Sequence, residues 1–225
     1  MHTFFLRADQ LLRGGGWAVR SQRPWPVLVQ LAVFIVVFGM AYGAVMGSFG
    51  GFGEDRAWQA FYSAVKVPLL LLATFLISLP SFFVLNTLLG LRNDFARALR
   101  ALVATQAGLA IVLASLAPFT AFWYATSVNY RVAVLFNGLM FAIASFTAQW
   151  LARRFYQPLI ARSNKHRWLL WTWIVIYAFV GIQMGWVLRP FIGDPALGVQ
   201  FFREESWSNA YVVVLRSIWA VLTGR

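Results

Sequence analysis

Few side chains able to do acid–base, nucleophilic or metal chemistry occur, and they are scattered. The two histidines, His2 and His166, both fall outside the long apolar stretches. Haem or chlorophyll held by an intramembrane histidine is therefore not expected. No HExxH pair suits a metalloprotease, and cysteine is absent, which excludes disulfides and thiolate chemistry. The glycine-rich run GGFGEDR at 50–56 lacks the lysine of a phosphate-binding loop. Glu54, Asp55, Glu204 and Glu205 could serve an enzyme acting on lipid at the membrane surface, but carboxylates in loops are usually just solvated. No cofactor, metal or catalytic residue is expected, and the reading is of a protein that is not an enzyme.

Two other patterns carry information. Gly39, Gly43 and Gly47 recur every fourth residue, and Gly181 and Gly185 repeat the spacing later. On a helix such glycines lay a smooth groove along one face, so a neighbouring backbone can come close. Packing within one subunit is the default reading, with an oligomer interface as the alternative; Gly138 and Ala142 offer a weaker version. Neutral polar residues form the second pattern. Asn86, Thr87, Gln106 and Gln149 fall near one end of their apolar stretches, and Thr120, Asn137 and Gln183 near the other. Two polar layers result. Interhelical hydrogen bonds explain them, at about 0.6 kcal/mol each; a path for water or a small solute is the sharper alternative.

The elements that would hold these residues follow from hydropathy. Of 225 residues, 60% are hydrophobic and 12% charged, against roughly half and a quarter in a soluble domain. The excess gathers into five runs of about 20 residues, the length a bilayer core demands. They cover about Pro26–Ser48, Pro68–Leu91, Ala101–Tyr124, Val132–Ala152 and Trp168–Leu188, and none contains Asp, Glu, Lys, Arg or His. Pro80 and Pro118 are expected to kink the second and third. An all-α polytopic transmembrane bundle of about five spans is predicted. The first span is expected to stay in place, because residues 1–13 are too polar for a signal-peptide core.

Amphipathic helices are expected at both ends, with a disordered leader as the alternative for the first. Over residues 3–13, Phe4, Phe5, Ala8, Leu11 and Leu12 share one face, with Thr3 as an N-cap. Residues 56–67 read as a second interfacial helix. In the tail, Ser208 could cap a last helix with Val212, Leu215, Trp219 and Leu222 on one face. The chain thus divides into an amphipathic segment (1–25), a five-helix transmembrane domain (26–188) and a tail with an interfacial helix (189–225).

The net charge is +12. In a soluble chain this would suggest nucleic acid, but here the basic residues sit between apolar runs. The N-terminal segment and the 92–100 and 153–167 loops fall on one side and hold 12 of the 19 lysines and arginines. The positive-inside bias places that side in the cytoplasm and the tail outside, in a bacterial inner membrane. Nucleic acid is not an expected partner. Membrane lipids are, and Arg189, at the outer end of span five, could snorkel, pair with an acid, or contact an anionic headgroup.

The stretch Tyr42-Gly43-Ala44-Val45-Met46-Gly47, with Pro80 and Asn86 in span two, resembles the Yip-type family of five-span membrane proteins. The likeness extends loosely over all five spans. It implies a membrane organiser or adaptor, and no functional residue is carried over. The chain lacks the long cytoplasmic N-terminal region of the eukaryotic members, so recruitment of small GTPases is not implied. The functional expectation is a non-catalytic scaffold or subunit, homo-oligomeric or joined to other membrane subunits. A channel or facilitator for water, a small neutral solute or an ion is the alternative.

Overall fold

The computed structural model describes residues 2–20, 24–51, 53, 56–194, 197–203 and 209–212. Among the described residues, seven α-helices follow one another up to residue 187: α1 (His2–Leu12), α2 (Trp17–Arg20), α3 (Pro24–Gly47), α4 (Arg56–Leu88), α5 (Phe95–Thr126), α6 (Tyr130–Ile160) and α7 (Lys165–Val187), with a 3₁₀ turn at Arg92–Asp94. Five of them, α3 to α7, are long and apolar enough to cross a membrane, and no strand occurs among the described residues. The chain is an integral membrane helical bundle. Its surface pattern says the same: Leu76, Ile77, Leu135, Phe146, Val175 and Phe179 point outward, while Gln59, Ser63, Lys66, Thr74, Ser78 and Asn137 are buried. Apolar outside and polar inside suits hydrocarbon as solvent.

The helices form an incomplete ring. α3 lies along both α4 and α5, α5 along α6, and α4 along α7, while α6 and α7 meet only sparsely. α5 is the most buried, with Ala98, Ala101, Ala104, Ala107, Gly108 and Ala110 all buried. Its small side chains let α3 and α6 approach from two sides. α7 is the least enclosed; along it only His166, Leu169, Leu170 and Trp173 are buried.

The largest difference from the sequence reading lies at the start of α4. Residues 56–67 are not a separate interfacial helix; they form the first three turns of a continuous 33-residue α4 that runs through Pro68 and Pro80. A proline inside a helix in water costs about 3 kcal/mol. In a bilayer, breaking the helix would expose further backbone groups to hydrocarbon, so the helix persists. Pro68 also has room, because it sits against the bare backbone of Gly39. The other ends move by up to eight residues: α5 begins at Phe95, and α6 continues to Ile160, so Arg153 and Arg154, expected in a loop, lie within the helix. Thr3 lies within α1 rather than capping it, whereas Asn129 caps α6 by accepting from the Val132 N–H at 3.3 Å.

α1 is amphipathic as expected, but it packs on the bundle. Phe4 stacks on Phe38 (5.7 Å between centroids) and meets Phe34 edge-on at 4.7 Å, and Leu11 is fully buried. At this end of the bundle, Asp94 accepts from Arg97 (3.1 Å) and Arg162 (3.3 Å) and lies 3.4 Å from Nε2 of the buried His166. Lys165 donates to the Leu89 carbonyl at 3.1 Å. The two basic loops are thereby tied together. In the tail, Ala210 N–H donates to Gln183 Oε1 at 3.0 Å and the Tyr211 ring stacks on Phe179. The remainder of the expected last helix, including Ser208, Leu215, Trp219 and Leu222, lies outside the described residues.

Candidate functional site

The residues singled out in the sequence separate into three places. Gly39, Gly43 and Gly47 all face α4, against Pro68, Ser63–Ala64 and Gln59–Ala60 respectively. Gly181 lies beside Thr74 of α4, while Gly185 has open space around it. Close approach of α3 and α4 is therefore what the first three glycines accomplish.

The polar residues do not make two uniform layers. Asn137 joins a buried triad: Tyr42 Oη donates to Asn137 Oδ1 at 2.9 Å, and Asn137 Nδ2 donates to Tyr124 Oη (2.6 Å) and the Ala133 carbonyl (2.9 Å). Tyr124 Oη in turn donates to the Met46 carbonyl at 3.1 Å. Three helices are stitched at one depth. Thr120 is buried on α5, but Gln183 is turned to the tail instead of the core. At the other depth Gln106 accepts from Tyr177 Oη at 2.7 Å. Gln106, Gln149, Ser145, Thr105, Thr74 and Tyr177 face a partly open cavity of about 320 Å³ lined by α4 to α7. Thr74 Oγ1 and Gln149 Oε1 are buried there with no hydrogen-bond partner among the described residues. Asn86 is buried but does not line this cavity, and Thr87 is exposed and donates to the carbonyl of Phe83. Beyond the cavity, towards Asp94, the α6–α7 gap widens into a basic mouth. Arg153 lies over Trp171 and Arg154 over Trp150, with Arg167 opposite.

The most developed arrangement lies at the far end, and sequence reasoning missed its centre. Lys66 is fully buried. It stands one helical face with Gln59 and Ser63, at i, i+4 and i+7, while Trp58 and Phe61 of the same helix point outward. That inverted pattern was the available signal; assigning 56–67 to the membrane surface hid it.

This polar face holds the chain that leaves α7. Lys66 Nζ donates to the Pro190 carbonyl at 2.7 Å, Gln59 Nε2 to the Phe191 carbonyl at 3.2 Å, and Arg56 to the Gly193 carbonyl at 3.1 Å. Ser63 Oγ also donates to Phe191, and Tyr130 Oη reaches Ile192 at 3.3 Å. Four consecutive carbonyls are thus each bound by a side chain, which satisfies irregular backbone at the edge of the bilayer. The Lys66 ammonium also lies over the Phe201 ring, 4.7 Å from its centre, and no carboxylate of the described residues pairs with it. A Cβ on Gly193 would come within 2.7 Å of the Gln59 side chain, so a larger residue there would displace Gln59.

Arg189, foreseen as a possible headgroup contact, lies over Trp186 at 3.4 Å from the ring centre. It faces two cavities, which also share Pro190 and Arg203.

Replacing Lys66 by methionine tests the clamp. The substitution removes a charge-assisted hydrogen bond of about 1.5–3 kcal/mol, but it also relieves an ammonium buried without a carboxylate. Global stability is expected to change little. Amide exchange across residues 191–203 should rise about tenfold, because local opening loses one of its restraints. Unchanged exchange would mean that Lys66 does not hold this segment.

Comparison of the chain with protein-family models, curated proteins and solved structures finds no match.

Proposed function

We propose that the protein is a non-catalytic subunit or scaffold of a membrane complex, in a bacterial inner membrane, with the Asp94 end cytoplasmic and the Arg189 end outside. The observation that carries this reading is the open edge of the ring, where α7 meets α6 only sparsely. In lipid, apolar exposure by itself drives no association. Close packing of small residues and pairing of polar groups do. The edge offers both. Gly185 has no atom within 4 Å of where a Cβ would stand, and Gln149 Oε1 is buried without a partner among the described residues. A helix from another copy or another subunit would complete the ring.

Native mass spectrometry of protein extracted in a mild maltoside detergent should show a defined oligomer or complex. A monomer without any companion would sink the reading. Sidedness has its own test, because the chain contains no cysteine. In intact cells a membrane-impermeant maleimide should label Val128→Cys, at a position 95% exposed, and leave Asn164→Cys untouched; the reverse labelling would invert the topology.

A second reading is supported by the 320 Å³ cavity and its polar lining: a facilitator for water or a small neutral solute. Vesicles containing the protein would then shrink faster than empty ones under osmotic shock, and Gln106→Leu with Gln149→Leu would remove the difference. Equal rates with and without protein would discard this reading.

A further inference from the structure

Two cavities flank the segment that α4 clamps. One, of about 360 Å³, extends into the bundle between α3, α4 and α6, and its walls are largely apolar: Met46, Leu70, Val134 and Phe141, with Gly138. The other, of about 410 Å³, is lined by polar groups that include Gln59, Gln200 and Asp194. Arg189, Pro190 and Arg203 belong to both. The pair is therefore a single amphipathic site: an apolar slot at membrane depth, a polar chamber above it, and two guanidinium groups where they join.

Among the described residues, the charged groups around that junction are mostly positive. Lys66 lies behind the wall, bonded to the Pro190 carbonyl, and Arg56 is bound to the next turn at Gly193. Asp194 is the sole carboxylate lining either cavity among the described residues. Positive charge at the edge of a low-dielectric slab attracts an anion more strongly than it would in water. Two guanidinium groups present planar forks that match phosphate oxygens. The apolar slot adds a second requirement. Its volume falls in the range of small-molecule sites, and Gly138 leaves bare helix backbone on its wall, with no atom within 4 Å of a Cβ position.

We propose that this site binds a single-chain amphiphile with a phosphate monoester head, the phosphate between Arg189 and Arg203 and the alkyl or isoprenoid chain in the slot beside Gly138. Lys66 acts from behind as a positioning residue: it holds Pro190, and with it Arg189, at the junction. This site does not depend on how many copies of the chain associate.

Monododecyl phosphate is a suitable probe, with the full-length protein in nanodiscs of zwitterionic phosphatidylcholine and empty nanodiscs as the background. Radiolabelled probe should bind saturably, at one equivalent per chain. Arg203→Gln should weaken binding at least tenfold. Gly138→Leu fills the slot without touching the arginines and should weaken it by a similar factor. Because its Cβ meets nothing, this variant should fold normally, and its gel-filtration profile checks that. Inorganic phosphate should bind at least a hundredfold more weakly than the alkyl phosphate, and dodecanol should show no saturable binding. The proposal is overturned if no binding exceeds that of empty discs, or if Arg203→Gln and Gly138→Leu both bind like the unsubstituted protein. Inorganic phosphate binding as tightly as the alkyl phosphate would also overturn it, by reducing the site to one for free anions.

Discussion

Valine in place of Gly43 is expected to disrupt the junction of α3 and α4 and leave little monodisperse protein. A Cβ at this position would stand 2.8 Å from both Ala64 Cα and Ser63 C. These are backbone atoms of the neighbouring helix, so no side-chain rotation can relieve the clash. Overpacking typically costs 1–3 kcal/mol, and a clash with backbone on both sides of a helix pair should reach about 3 kcal/mol or more. Gly138→Val is the control, because its position opens to empty space; it should cost less than about 1 kcal/mol. Thermal unfolding in detergent, read beside gel filtration, measures both. If Gly43→Val unfolds with the unsubstituted protein, α3 and α4 do not approach as described.

Asn137→Leu is expected to cost about 2 kcal/mol, and most of that should be recoverable. Asn137 is the acceptor for Tyr42, whose side chain is fully buried. Removing it leaves the buried hydroxyl with only the Thr120 side chain beside it, at about 1–3 kcal/mol. Tyr124 suffers less, since it still donates to Met46. Tyr42→Phe in the Asn137→Leu background removes the Tyr42 hydroxyl. The double variant should therefore be more stable than Asn137→Leu alone by about 1 kcal/mol, although Tyr42→Phe by itself is destabilising. A double-mutant cycle reads this sign reversal. Simple additivity would show that the two side chains are not coupled in the bilayer.

How much of this was legible beforehand depended on the kind of signal. Five spans could be read from Pro26 to Leu188 because hydropathy is summed over about 20 residues and survives local irregularity. The glycine spacing was legible, since a face repeats every four residues whatever lies against it. Which helix lies against it was not: Gly43 meets Ser63 and Ala64, residues assigned in the sequence to a surface helix. Lys66 was missed for a related reason. A lone lysine near a span end ordinarily snorkels to water. Here Gln59 and Ser63 share its face, and the chain after α7 returns to cover all three. Gln183 shows the opposite error, a polar residue within a span that turns to the tail instead of the core.

The amino-acid sequence alone determined that this chain lives in a bilayer, as helices, with basic residues gathered between particular spans. Those are consequences of transfer free energies, which add residue by residue along the chain. The tertiary structure decided which polar groups meet: that Tyr42 and Tyr124 share Asn137, and that Arg56, Gln59, Ser63 and Lys66 grip residues more than a hundred positions away. It also decided that Arg189 and Arg203 stand together at the neck of two cavities. Such meetings depend on which helix faces which, and in lipid that is governed by close packing and hydrogen bonding between partners that hydropathy does not distinguish.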